Sequence, residues 1–282
     1  MRSMRLFAAA DAMDHVMDSR YWHILDSLPH IDLHVVSFKL FGIDFEFFTK
    51  YQLLMVVAAA LVCAVFIPLA KKVQSGEPPT GAWWNTFESM LDFVRNNVAK
   101  PYISHHADHY VPFLWTLFLF LLFCNLLGML PAMGSPTASI TVTGTIAAIV
   151  FLYIHISGMI ENGVTHHFLS FAPHLDMPFV LKLVIIPMLW AIEFMSLGIK
   201  CFVLAVRLFA NMFAGHMVLG TILLFIPAAK MASEGLFWTV TAGSILGVVA
   251  LSFLELFVAF LQAFIFTFLT ALFLGSTLHP EH

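Results

Sequence analysis

"MPFVLKLVIIPMLWAIEFMSLGIKCFVLAVRLFANMFAGHMVLGTILLFI", residues Met177 to Ile226, is almost continuously apolar, yet it holds Lys182, Glu193, Lys200, Arg207, Asn211 and His216. At 1.5 Å per residue one helix of this run is about 75 Å long, while the hydrocarbon core of a bilayer is about 30 Å thick. Either the helix lies at a steep tilt or the run folds into a short hairpin. The turn cluster that two separate crossings need is missing, which predicts one long tilted helix over 177–227. Leu236 to Gly275 poses the same problem at about 60 Å and predicts a second long helix over 236–275. "PAAKMASEG" joins the two into a hairpin.

The rest of the chain follows a simpler pattern. Its 282 residues are 60% hydrophobic and 11% charged, with a mean hydropathy of +0.90, which marks a polytopic membrane protein. A formal net charge of -4 leaves no basic face for nucleic acid, so nucleic acid is not a partner. Cys63, Cys124 and Cys201 lie in or beside apolar runs without CxxC spacing and read as buried small hydrophobes.

Residues 1–50 form a polar arm at the membrane surface. Its opening, "MRSMRLFAAADAMDHVMD", has an apolar stretch shorter than a signal-peptide core and gains acids at once, so no cleaved segment is expected. Spans follow at 51–70, 111–130 and 140–160. Between the first two, "AWWNTFESMLDFVRNN" sets Trp83, Phe87, Leu91 and Val94 against Glu88, Asp92 and Arg95, which predicts an interfacial helix over 82–98. The expected fold is thus an all-α membrane domain over 51–282 with five crossings. Lys71, Lys72, Arg95 and Lys100 cluster after the first crossing, while the loop between the second and third spans has no Lys or Arg. The positive-inside rule then puts the N-terminus outside and the C-terminus in the cytoplasm.

A charge near the bilayer centre costs about 2.5–3.5 kcal/mol on insertion scales, so intramembrane charges are functional candidates. Glu193, Lys200 and Arg207 are spaced by seven and share one stripe of a helix, with Asn211 one turn beyond Arg207. Glu255 and Gln262 are also seven apart, with Ser244, Gly247 and Ser252 upstream. Plainer readings exist: Lys182 and Lys200 can snorkel, Glu193 can neutralise Lys200, and His216 and Glu255 can be a buried pair without transport. Arg207 resists such a reading, because it stays protonated and demands a nearby anion. Histidine and a buried carboxylate also exchange protons readily near neutral pH in a partly solvated site.

"VRLFANMFAGH", preceded by "IEFMSLGIK" and followed by "ELFVAFLQAFIFTFLTALFLG", resembles subunit a of the F-type ATP synthase. The likeness runs from "AKKVQSGEPPTG" through "FLFLLFCNLLGMLP" to the C-terminus. It implies that Arg207 is the arginine facing the rotor-ring carboxylate. Asn211 matches the asparagine one turn on, Gln262 the last-helix glutamine, and Glu193 an acid toward the cytoplasmic outlet. At the positions of His216 and Glu255 many relatives carry the exchanged pair, Glu and His, which argues that the two side chains touch. Val203 stands where many relatives have serine, Cys201 where many have proline, and Gly128 where some have aspartate.

The resemblance further implies a proton path through the bacterial plasma membrane, with the rotor c-ring, peripheral-stalk subunit b, the other synthase subunits and lipid as partners. It calls for neither cofactor nor metal. No GxxxxGK stretch is present, which leaves ATP chemistry to other subunits. Two rival readings account for less of the sequence. A secondary transporter predicts inverted repeats, and the two halves show no similarity. A membrane metalloenzyme draws on "SHHADHY" and "GVTHH", with His105, His106, His109, His166 and His167 as ligands, but leaves Arg207, Glu255 and Gln262 without a role. The N-terminal His15, His23, His30 and His34 read as solvated surface residues.

Overall fold

A computed structural model of the chain describes residues 21–22, 31–32, 36–40, 43–47, 49–74, 81–103, 107–130, 134–164, 179–231 and 233–278. His15, His23, His30, His34, His105, His106, His166 and His167 lie outside these residues. The N-terminal arm contains two antiparallel ribbons, β1 (Tyr21–Trp22) with β2 (Ile31–Asp32), and β3 (Val36–Leu40) with β4 (Ile43–Phe47). In the second ribbon Val36 pairs Phe47 and Leu40 pairs Ile43. The sequence reading assigned no strands here; alternation such as "VSFKL" and "IDFEF" is the period-2 signal it passed over.

Among the described residues, five helices are long and apolar enough to cross a membrane: α1 (Lys50–Gln74), α4 (Ala107–Gly128), α5 (Ile140–Asn162), α6 (Phe179–Lys230) and α7 (Glu234–Leu278). α6 and α7, of 52 and 45 residues, are each one continuous helix, so neither apolar run folds back on itself. Between α1 and α4 lie α2 (Ala82–Phe93), a π-helical turn (Val94–Ala99) and α3 (Lys100–Ile103). α2 buries none of its residues, and Trp83 is 71% exposed; only at the π turn do Val94, Val98 and Ala99 become buried. Along its apolar stripe Trp83 is exposed, Phe87 and Leu91 are half-buried and Val94 is buried, so the stripe turns into the protein toward its C-terminal end. α4 starts earlier than its hydropathy predicts, at Ala107, because Asp108 in the first turn suits the positive end of the helix dipole.

Contacts divide the chain into two compact units. The first comprises Met1–Ile67, Phe120–Val142 and Leu208–Gln262. Here Ala58, Cys124 and Leu127 form a buried cluster flanked by Met55, Phe120 and Phe123. Cys124 is the buried hydrophobe its sequence context predicts, whereas Cys63, on a face of α1 open to the surroundings, is exposed.

The second unit comprises Pro68–Leu119, Thr143–Arg207 and Ala263–His282. Trp115 Nε1 donates to the Leu91 carbonyl at 2.8 Å, and Tyr110 OH donates to Glu161 Oε1 at 3.1 Å. Asn162, the last residue of α5, donates to the Thr277 carbonyl at 3.2 Å and so satisfies an orphan acceptor at the end of α7. Near that end Gly275 meets the Tyr102 carbonyl so closely that no Cβ fits. Buried Thr267, Thr270 and Thr277 return their hydroxyls to the carbonyls of Ala263, Phe266 and Phe273, which keeps α7 satisfied without water. Lipid offers apolar side chains no less than a neighbouring helix does, so such close approaches and polar contacts, rather than hydrophobicity, decide which faces meet.

Candidate ion-path site

α6 and α7 carry the polar residues on two different kinds of face. Glu193, Lys200 and Arg207, spaced by seven along α6, are all exposed. Glu255 and Gln262, spaced by seven along α7, are both buried, at 6% and 3% exposure. The same period thus gives an outward stripe on one helix and an inward stripe on the other.

Within the first unit, Asn211 Nδ2 donates to Gln262 Oε1 at 3.0 Å. Toward the turn that joins the helices, His216 Nδ1 lies 3.7 Å from Glu255 Oε1. That separation is within ion-pair range but beyond a hydrogen bond. Both side chains are largely enclosed, and His216 Nε2, Glu255 Oε1 and Gln262 Nε2 have no hydrogen-bond partner among the described residues. Two titratable groups are therefore neighbours without being locked to one another. Gly215 supplies the room: a Cβ there would stand 2.6 Å from Glu255 Oε1 and 3.1 Å from its Cδ. The histidine can approach the carboxylate because the residue before it has no side chain.

The upstream small residues of α7 divide. Ser252 turns its hydroxyl back to the Val248 carbonyl at 2.8 Å, and so adds nothing to the polar stripe. Ser244 is buried and, with Gly243 and Gly247, lines an open apolar groove toward the turn. The groove, also lined by Ile222, Phe225 and Val240, offers no ionisable group.

In the second unit Lys200 takes its partner from the ring of Phe273, 5.5 Å from Nζ, and not from Glu193. This overturns the reading in which Glu193 neutralises Lys200; two side chains seven apart on a helix stand too far apart for long-lived pairing. Around Glu193 the packing is aromatic, with Trp190 stacked on Phe194 and Phe194 stacked on His155. Arg207, four residues before Asn211 on the same helix, makes no ion pair or hydrogen bond among the described residues. Those residues also contain no group of three or more His, Cys, Asp or Glu able to hold a metal ion.

A family model described as ATP synthase A chain matches residues 52–275. The chain belongs to this family. It is 35% identical over 280 residues to the ATP synthase subunit a of Chloroherpeton thalassium, covering 96% of this chain and 78% of that one. It is 34% identical over 284 residues to ATP synthase subunit a 2 of Chlorobaculum tepidum, covering 97% and 76%. Against the subunit a of Anaeromyxobacter dehalogenans identity is 39% over 234 residues, covering 82% of this chain and 58% of the relative. As an ATP synthase subunit a family member the chain is a multi-pass membrane protein of the synthase membrane sector, concerned with ion transport and ATP synthesis.

Sequence reasoning missed part of the surroundings of this site. Gly215 was passed over although it sits inside the quoted "FAGH", and Asn125, an amide in the middle of "FLLFCNLLG", was not singled out. A polar residue in an otherwise apolar crossing was the available signal.

Proposed function

We propose that the chain is the stator side of a proton-driven rotary motor. It carries two aqueous half-channels that each reach partway through the membrane, with Arg207 as the seal between them. A proton from outside passes His216 and Glu255, near Asn211, and neutralises a carboxyl on the rotor c-ring. The neutral carboxyl then turns through lipid until it meets the outlet near Glu193 and releases its proton to the cytoplasm. Gln262, which cannot ionise, binds Asn211 without trapping a proton.

The observation that carries this reading is the state of Arg207. Its guanidinium is exposed on a long apolar helix and has no anion among the described residues. A permanently charged group in lipid requires compensation from outside the chain, and a partner's carboxylate supplies it. The same charge favours the ionised rotor carboxylate and repels a proton leaking directly from one half-channel to the other. Membrane potential contributes roughly 2.3 kcal/mol per charge per 100 mV, alongside the pH gradient. The lengths of α6 and α7, about 78 and 68 Å at full extension, suit helices inclined along a cylindrical ring. Under this reading the N-terminal arm faces outside the bacterial plasma membrane, the C-terminus faces the cytoplasm, subunit b packs on the stator, and ATP chemistry belongs to other subunits.

Vesicles holding the assembled membrane sector test the reading through ATP-driven pumping and passive proton flux. Arg207→Ala should abolish pumping while leak persists or rises, and an Arg207/Gln262 exchange serves as a positional control. Pumping that survives Arg207→Ala would refute the seal.

A further inference from the structure

Three polar side chains with no exposed surface, Asn125 on α4 and Ser135 and Thr137 beside the 3-10 turn Pro136–Ala138, form a chain of hydrogen bonds that ends on α7. Asn125 Nδ2 donates to the Ala259 carbonyl at 3.1 Å. Thr137 Oγ1 donates to Asn125 Oδ1 at 2.7 Å, and Ser135 Oγ lies 2.7 Å from Thr137 Oγ1. The direction of every bond follows from the last one. A carbonyl only accepts, so the Asn125 amide must present its nitrogen to Ala259 and its oxygen to Thr137. The single hydroxyl hydrogen of Thr137 is thereby committed to Asn125, and Ser135 must be the donor to Thr137. One buried arrangement satisfies all the groups.

Ala259 lies between Glu255 and Gln262 on α7, and its methyl is fully buried. A main-chain carbonyl has a fixed height and direction on its helix. Gripping it therefore fixes both the axial position and the rotation of the turns on either side. The small Ala259 side chain permits that approach, and at the other end of the chain Gly128 leaves room for Ser135, whose Oγ would stand 2.6 Å from a Cβ at that position.

We propose that Asn125, Thr137 and Ser135 are positioning residues for the proton path. They set the register of α7 so that Glu255 meets His216 and Gln262 meets Asn211, without themselves carrying the proton. The 3.7 Å gap between His216 and Glu255 is sensitive to that register, since no hydrogen bond holds the pair together. This inference rests on the ion-path reading above.

The test uses the assembled synthase in inverted membrane vesicles, measuring ATP-driven pumping as a function of pH. Thr137→Val keeps the shape and removes the donor to Asn125. Asn125→Asp keeps the acceptor for Thr137 and removes the amide donor to Ala259. Both should assemble and pump about ten-fold more slowly, well within the loss that a misplacement of about 1 Å produces. Both should also shift the pH profile of pumping, and Thr137→Ser should restore rate and profile together. Wild-type rate and profile in both variants would overturn the proposal, and so would failure of both to assemble, which would make the relay a folding element. If Thr137→Val alone fails to assemble, Asn125→Asp decides. Glu255→Gln, measured in parallel, separates the two levels: normal pumping there removes the path reading itself, whereas a blocked Glu255→Gln beside unaffected relay variants removes only the positioning role.

Discussion

Gln262 accepts a hydrogen bond from Asn211 through Oε1 at 3.0 Å, while its own Nε2, buried, meets no acceptor among the described residues. An enclosed donor left in that state costs about 1–3 kcal/mol, so it is placed for an acceptor beyond the described residues. Gln262→Glu keeps an acceptor for Asn211 but loses the donor and gains a site that holds a proton. Pumping by the assembled enzyme should fall about ten-fold, the equivalent of about 1.4 kcal/mol in the rate. Unchanged pumping would show that this donor has no part in the path.

Glu255→Gln should slow proton passage without disturbing assembly, because the amide matches the carboxyl in shape and cannot ionise. Exchanging the pair, His216→Glu with Glu255→His, should recover more pumping than the product of the two single changes predicts. Residues in contact couple by about 0.5–3 kcal/mol, and strict additivity would mean that the 3.7 Å pair does not interact.

Gly215→Ala places a methyl where Glu255 Oε1 now lies, 2.6 Å from the new carbon. Alanine is the better helix former, so a loss of function cannot come from the helix itself. Pumping should drop and its pH profile should move, as Glu255 is pushed from His216. Gly220→Ala, at a position with nothing within 4 Å of the added carbon, is the control and should pump normally. Equal behaviour of the two variants would contradict this account of Gly215.

Gly275→Ala tests packing rather than the path. The Tyr102 carbonyl occupies the space of the new methyl, and overpacking of this kind costs about 1–3 kcal/mol. The variant complex should melt at a lower temperature in detergent. Gly163→Ala is no substitute control, since its φ of 77° already strains any side chain, but Gly144→Ala, in open space, is. Melting of the two complexes at one temperature would refute the close approach.

The crossings were legible because a fixed bilayer thickness turns apolar run length into an architecture, and even the continuity of α6 and α7 followed from a missing turn cluster. Arg207, Glu255 and Gln262 stood out for the same reason, as charges and amides where neither is cheap. Gly215 and the Asn125 relay did not. Asn125 binds a main-chain carbonyl 134 residues away, and a carbonyl leaves no mark in a sequence. Spacing by seven reports a shared face and not a distance, so the contact of Lys200 with Phe273, on another helix, left no signal in the sequence.

α6 runs through its 52 residues without a break, and Arg207 sits near its middle. Midway along it the main chain leaves no open donor or acceptor for lipid to meet, because each N–H closes onto a carbonyl four residues back. A broken run would have to find partners for those groups in another segment, so the length of the helix also keeps its own backbone satisfied around Arg207.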